Sequence, residues 1–158
     1  MTIHFYYDFK QDLIEKLKED YEEELKERKE RLRKQKQLDE AEQKILSYFT
    51  TIKNGLNEVF EVSDGFVDYK EGGDYIVKFA LGKNSLKFIR KENSIEISEK
   101  FYIKEADIVE SKILANIVPG KKKCLLKKVG ELHTGNHFDT NTINFYMRQV
   151  FSQYTENK

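Results

Sequence analysis

The chain has 158 residues, of which 39% are hydrophobic and 35% charged, and its formal net charge is zero. That length suits one domain, or one domain with an appendage. A zero balance argues against a dedicated DNA-coating protein, and equally against an acidic mimic of DNA.

A single cysteine, Cys124, excludes an intrachain disulfide and points to a reducing compartment. No apolar run approaches the roughly 20 residues that span a bilayer. Met1 to Phe5 lacks the basic segment and the cleavage site of a signal peptide. A cytoplasmic protein with no membrane partner is therefore expected. Abundant Lys, Ile, Asn, Phe and Tyr, with one Pro and no Trp, suit an AT-rich genome such as that of a low-GC bacterium or its phages.

Thr2 to Tyr7 fits either a short alternating strand or the lead-in to a helix, with His4 as a surface residue. Asp8 with Gln11 resembles a capping box, so a helix is predicted from Phe9. From Lys10 to Leu46 there is no Gly, Pro, Ser, Thr or Asn, and strong helix formers dominate. Phe9, Leu13, Leu17, Tyr21 and Leu25 recur every four residues, a thin apolar stripe widened only by Ile14.

A second set, Leu38, Ala41, Ile45, Tyr48, Ile52 and Val59, has the 3-4 spacing of a coiled-coil heptad. Leu46, Phe49, Leu56 and Phe60 widen it, so it is the better core candidate. Extended backward, the heptad puts Lys34, Arg31 and Glu27 on the seam, and the coiled-coil reading fails there. Two structures accommodate this. One is a single helix with a solvated middle. The other is a hairpin turning near Gln35 to Leu38 and restarting at Asp39. A turn without Gly, Pro, Asn or Ser is unusual, so the long helix is expected.

The charges of this helix are sorted. Glu19, Asp20, Glu22, Glu23 and Glu24 form an acidic band, and Arg28, Lys29, Arg31, Arg33, Lys34 and Lys36 a basic one. Pairs at i,i+4, such as Glu22–Lys26, Glu24–Arg28 and Glu30–Lys34, account for much of this pattern. The same sorting suits docking of a protein with the opposite layout, or of an antiparallel second copy. Leu13, Leu17, Tyr21, Leu25, Arg28 and Arg31 are the partner-binding candidates.

After Ser63-Asp64-Gly65 the pattern becomes β-rich. Strands are predicted at Phe66–Tyr69, Tyr75–Leu81, Leu86–Arg90 and Ser94–Ser98, joined by turns too short for anything but antiparallel pairing, and Phe101–Ile103 also reads as strand. Ala106 to Val118 fits strand or helix. Lys123 to Val129 reads as a last strand, its Lys cluster (Lys121 to Lys128) guarding an edge. Asp139 or Thr140 caps a final helix carrying Ile143, Met147, Val150, Phe151 and Tyr154 on one face.

The expected architecture is α+β: a helical arm over residues 1–61, then an antiparallel meander of four to six strands with a C-terminal helix packed on it, over 62–158. Cys124, His133, His137 and Asp139 are the sole cluster with metal-ligand types, but their spacing matches no zinc motif. There is no phosphate-binding glycine loop. No cofactor or metal and no enzymatic activity are expected. The function expected is a protein-binding module (inhibitor, adaptor or chaperone-like) acting through the arm on a protein partner or on itself as a homodimer. The alternative is a nucleic-acid-binding regulator using Lys26 to Lys36 and Lys121 to Lys128, weakened by the interleaved Glu27 and Glu30.

Overall fold

The computed structural model describes residues 9–130 and 136–156. The readings at Thr2–Tyr7, His4 and His133 lie outside the described residues. The N-terminal helix is long, as its composition demands. It comprises α1 (Phe9–Asp20), α2 (Glu22–Gly55) and a short α3 (Asn57–Val62). Tyr21 stands between α1 and α2 without breaking the run of hydrogen bonds. Its N–H donates to the Leu17 carbonyl at 3.1 Å, and its own carbonyl accepts from Leu25 at 2.9 Å.

Residues 35–38 are helical, so there is no hairpin turn there. Nothing in that stretch releases a backbone group to form one. The helix loosens instead at its glycine. After Gly55, Leu56 adopts φ −112° and ψ 11°, and its N–H is shared between the carbonyls of Ile52 and Lys53.

The chain divides after Lys34 into two units. In the first, α1 buries no residue. In the second, the remainder of α2 buries Gln37, Leu38, Ala41, Ile45 and Phe49. The heptad-spaced residues from Leu38 to Ile52 thus belong with the sheet, whereas Val59, expected on the same seam, is exposed. Their apolar face is wide enough to be a core face, whereas the stripe in the first unit is not.

The sheet has six antiparallel strands in simple meander order. They are β1 (Val67–Gly72), β2 (Tyr75–Leu81), β3 (Asn84–Arg90), β4 (Ile95–Ile103), β5 (Ile108–Val118) and β6 (Leu125–Lys128). Two strands expected at Ser94–Ser98 and Phe101–Ile103 are one. Glu99 and Lys100 stay in the ladder, paired with Lys112 and Ser111, because a register shift between Ile97 and Ser98 absorbs the change of face. Of the stretch from Ala106 to Val118, Ile108–Val118 is strand, entered through a turn with Asp107 at φ 51°.

One face of the sheet carries Val77, Phe79, Leu86, Phe88, Ile95, Ile97, Ala115 and Ile117, all buried. Phe49 of α2 lies 6.3 Å from Phe79 and 5.8 Å from Phe88, ring centre to ring centre. The C-terminal helix α4 (Thr140–Glu156) covers the same face, with Phe151 edge-on to Phe79 at 5.3 Å. Asp139 caps α4, its Oδ1 accepting from the N–H groups of Asn141 and Thr142 at 2.9 and 3.3 Å. The strand β6 lies at the edge of the sheet, with Lys127 and Lys128 exposed. Its backbone is also covered. Leu126 N–H donates to Asn136, and Phe138 N–H to Cys124, both at 2.9 Å.

A candidate docking face on the N-terminal helix

Five apolar side chains of the first unit are strung along one line of the helix. Ile14, Leu17, Tyr21, Leu25 and Leu32, with Arg28 between the last two, follow steps of 3, 4, 4, 3 and 4 residues. The total of 18 residues is five turns at 3.6 residues per turn, so the line runs straight instead of winding. Leu13 and Arg31 flank it, one position before Ile14 and Leu32 respectively. Phe9 lies further round.

All of these side chains face solvent. Exposure runs from 45% at Ile14 to 70% at Phe9, with Leu17 at 47% and Leu25 at 48%. The six candidates, Leu13, Leu17, Tyr21, Leu25, Arg28 and Arg31, therefore lie on or beside one continuous exposed face. Leu32 is the residue that sequence reading missed. It is enclosed by charge, and the signal that finds it is its distance of seven from Leu25.

The charged flanks hold the helix in part. Lys16 meets Asp20 at 3.0 Å and Lys26 meets Glu22 at 3.5 Å. Glu30 binds Arg33 through two hydrogen bonds, of 2.7 and 3.0 Å, where a pair with Lys34 was expected. That two-point bond lowers the Glu30 carboxyl from its usual range and raises the Arg33 guanidinium. Ion pairs this exposed add little stability.

The second unit offers less to chemistry. Burial pushes the Cys124 thiol up, Glu40 adds to the shift, and Lys44 and Arg90 partly oppose it. Cys124 is buried and its Sγ donates to the Gln37 carbonyl at 3.4 Å, so it is held as a thiol, the unreactive form. His137 is exposed beside β6, bridged to Leu125. Among the described residues no three His, Cys, Asp or Glu side chains converge as metal ligands.

An open cleft of about 370 Å³ sits between the Gly72-Gly73 turn and α2. Arg90 stands in it, already held by Asp39 at 3.0 Å, Glu42 at 3.4 Å and Gln35 at 2.9 Å. A second cleft, of about 500 Å³, is lined by Phe66, Tyr102, Phe151 and Tyr154. On the sheet face opposite Phe79, Lys70, Lys78 and Lys87 stand directly opposite one another across β1, β2 and β3. No helix among the described residues is long and apolar enough to cross a membrane. Compared with models of protein families, with curated proteins and with solved structures, the chain matches none of them.

Proposed function

We propose that the protein is a non-enzymatic protein-binding module, of the kind that serves as an inhibitor, adaptor or chaperone, and that it docks through the face running from Leu13 to Leu32. One observation carries this reading: α1 buries none of its residues while presenting Phe9, Leu13, Ile14 and Leu17 to solvent. An isolated helix of this length is marginal in water, and a protein partner that covers its apolar side would stabilise it. The basic residues Arg28 and Arg31 would add direction to such an interface. The bacterial or phage origin suggested by composition and a cytoplasmic setting both suit that role.

The test is affinity capture from a native-type host, comparing wild type with Leu17→Asp plus Leu25→Asp. Both positions are exposed, so the double variant should keep the sheet unit folded. Loss of a stoichiometric partner, with thermal unfolding unchanged, is the expected result. Equal recovery of the partner by both proteins would refute the reading.

Nucleic-acid binding is the second reading, favoured by the row of Lys70, Lys78 and Lys87. Asp68 and Glu96 share that sheet face and the formal net charge is zero, so it ranks lower. Its signature would be affinity that falls by orders of magnitude between about 50 and 200 mM salt. No measurable duplex binding at physiological salt is expected.

A further inference from the structure

We infer that the occupant of the Tyr21–Leu32 part of this face is a second copy of the same chain, running antiparallel in a register set by charge. The inference rests on the docking reading above and names its partner. The argument starts from the order of the charges. Asp20, Glu22 and Glu24 stand two residues apart, and so do Lys29, Arg31 and Arg33. One helix thus carries an acidic block and, further along, a basic block of the same spacing, although Asp20, Glu22 and Arg33 are also paired within the helix, to Lys16, Lys26 and Glu30.

A parallel pair in register sets acid against acid and base against base. An antiparallel pair reverses the order of one helix and brings the blocks together. The best fit places Tyr21 opposite Leu32 of the second copy. Leu25 then faces Arg28, whose aliphatic stem can cover it while the guanidinium reaches water. The two-fold axis repeats both pairs, so Tyr21, Leu25, Arg28 and Leu32 make one seam. In that register Asp20 and Glu24 flank Arg31, and Glu22 flanks Lys29 and Arg33.

Sliding by one heptad gives the competing register. It places Tyr21 opposite Leu25 and Ile14 opposite Leu32, which matches more apolar side chains. It also sets Asp20 beside Glu24 and Lys16 beside Arg31, so like charges meet along both flanks. Charge, repeated over several pairs, selects the first register and rejects the second. A foreign partner would have to reproduce the reversed layout that this helix already supplies.

The test uses two full-length variants. One carries Asp20→Lys, Glu22→Lys and Glu24→Lys. The other carries Lys29→Glu, Arg31→Glu and Arg33→Glu. Five of the six positions are exposed and Arg33 is half-buried, bonded to Glu30, so circular dichroism would verify the fold of each. Sedimentation equilibrium at tens of micromolar and low salt should show a wild-type dimer. Each variant alone should self-associate roughly tenfold or more weakly, through repulsion at several flanking pairs. An equimolar mixture should recover wild-type affinity as a heterodimer, seen as a distinct mass by native mass spectrometry.

Failure of the mixture to pair, or unchanged dimerisation of either variant alone, would overturn the register. A monomeric wild type that still captures a host protein through Leu17 and Leu25 would overturn self-pairing and leave the docking reading standing. A wild-type dimer indifferent to Leu17→Asp plus Leu25→Asp would overturn both.

Discussion

The side-chain oxygen of Gln37, buried in the middle of a 34-residue helix, accepts a hydrogen bond from the backbone N–H of Gly120 at 2.9 Å. The same residue's carbonyl accepts from Cys124 Sγ at 3.4 Å. One turn of α2 therefore fastens the whole crossing between β5 and β6. A β-carbon at Gly120 would collide with the Lys123 carbonyl oxygen, so the close approach requires glycine.

Gln37→Leu keeps the volume near that of the native side chain but removes the acceptor. It should destabilise the protein by about 1–3 kcal/mol, the cost of losing a buried hydrogen bond. Urea unfolding measures it. A change under a few tenths of a kcal/mol would mean that the Gly120 N–H is equally well served without Gln37.

Ile45 is fully buried among the sheet's apolar residues, while Ile52, seven residues on, is half-buried. The heptad spacing made the two look equivalent. Ile45→Ala should cost about 2–5 kcal/mol, and Ile52→Ala distinctly less, because part of its cavity opens to solvent. Equal losses in chemical denaturation would contradict this packing.

How much of this was legible is clearest from particular residues. The helix could be read because residues 10–46 offer no alternative to it, and β2 because Tyr75, Val77, Phe79 and Leu81 recur at every second position, although Ile76 and Ala80 between them are buried as well. The strand β5 could not. Its apolar residues Ile108, Val109 and Ile113 are exposed, and only Leu114, Ala115 and Ile117 are buried. Burial there depends on pairing with β4 and on the bulge beside Ile97, which are tertiary facts that local periodicity does not carry. The candidate face was legible as a stripe, but Leu32 was hidden by the charges around it.

Lysines directly opposite one another repel, and Lys78 has one on each side, Lys70 and Lys87. Lys78→Glu turns two repulsive pairs into attractive ones. A gain of about 0.2–1 kcal/mol per pair is expected at low ionic strength, shrinking as salt is added. If thermal unfolding at about 10 mM salt shows no gain, the row is too well solvated for the charges to interact.

Alkaline pH should weaken the fold. Burial, and then the Glu71 carboxylate that accepts the Tyr69 hydroxyl at 2.6 Å, push the Tyr69 phenol far above its ordinary value. Burial raises Tyr48 and Cys124 in the same direction. In the unfolded chain these groups lose their protons near about pH 8.5 for the thiol and about 10 for the phenols. The folded state keeps them protonated to higher pH, so it binds more protons than the unfolded state in that window. Stability should thus hold up to about pH 8 and fall as pH rises beyond it. Urea midpoints taken from pH 8 to 11 should decline, and less steeply in Tyr69→Phe. A flat profile would contradict the shifts.

Amide exchange can test the arm without any substitution. With no buried residue, α1 is held by helix propensity and exposed ion pairs alone, so its amides should open far more readily than those of β2 and β3. If two copies pair through Tyr21 to Leu32, mass action must protect those amides as concentration rises. Protection across Tyr21 to Leu32 should increase between low and high micromolar protein, while the strand amides around Val77 and Phe88 stay unchanged. A partner protein absent from the purified sample cannot produce that dependence. Exchange in the arm that is rapid and independent of concentration would therefore count against self-pairing, and direct the search for the occupant of this face to other proteins.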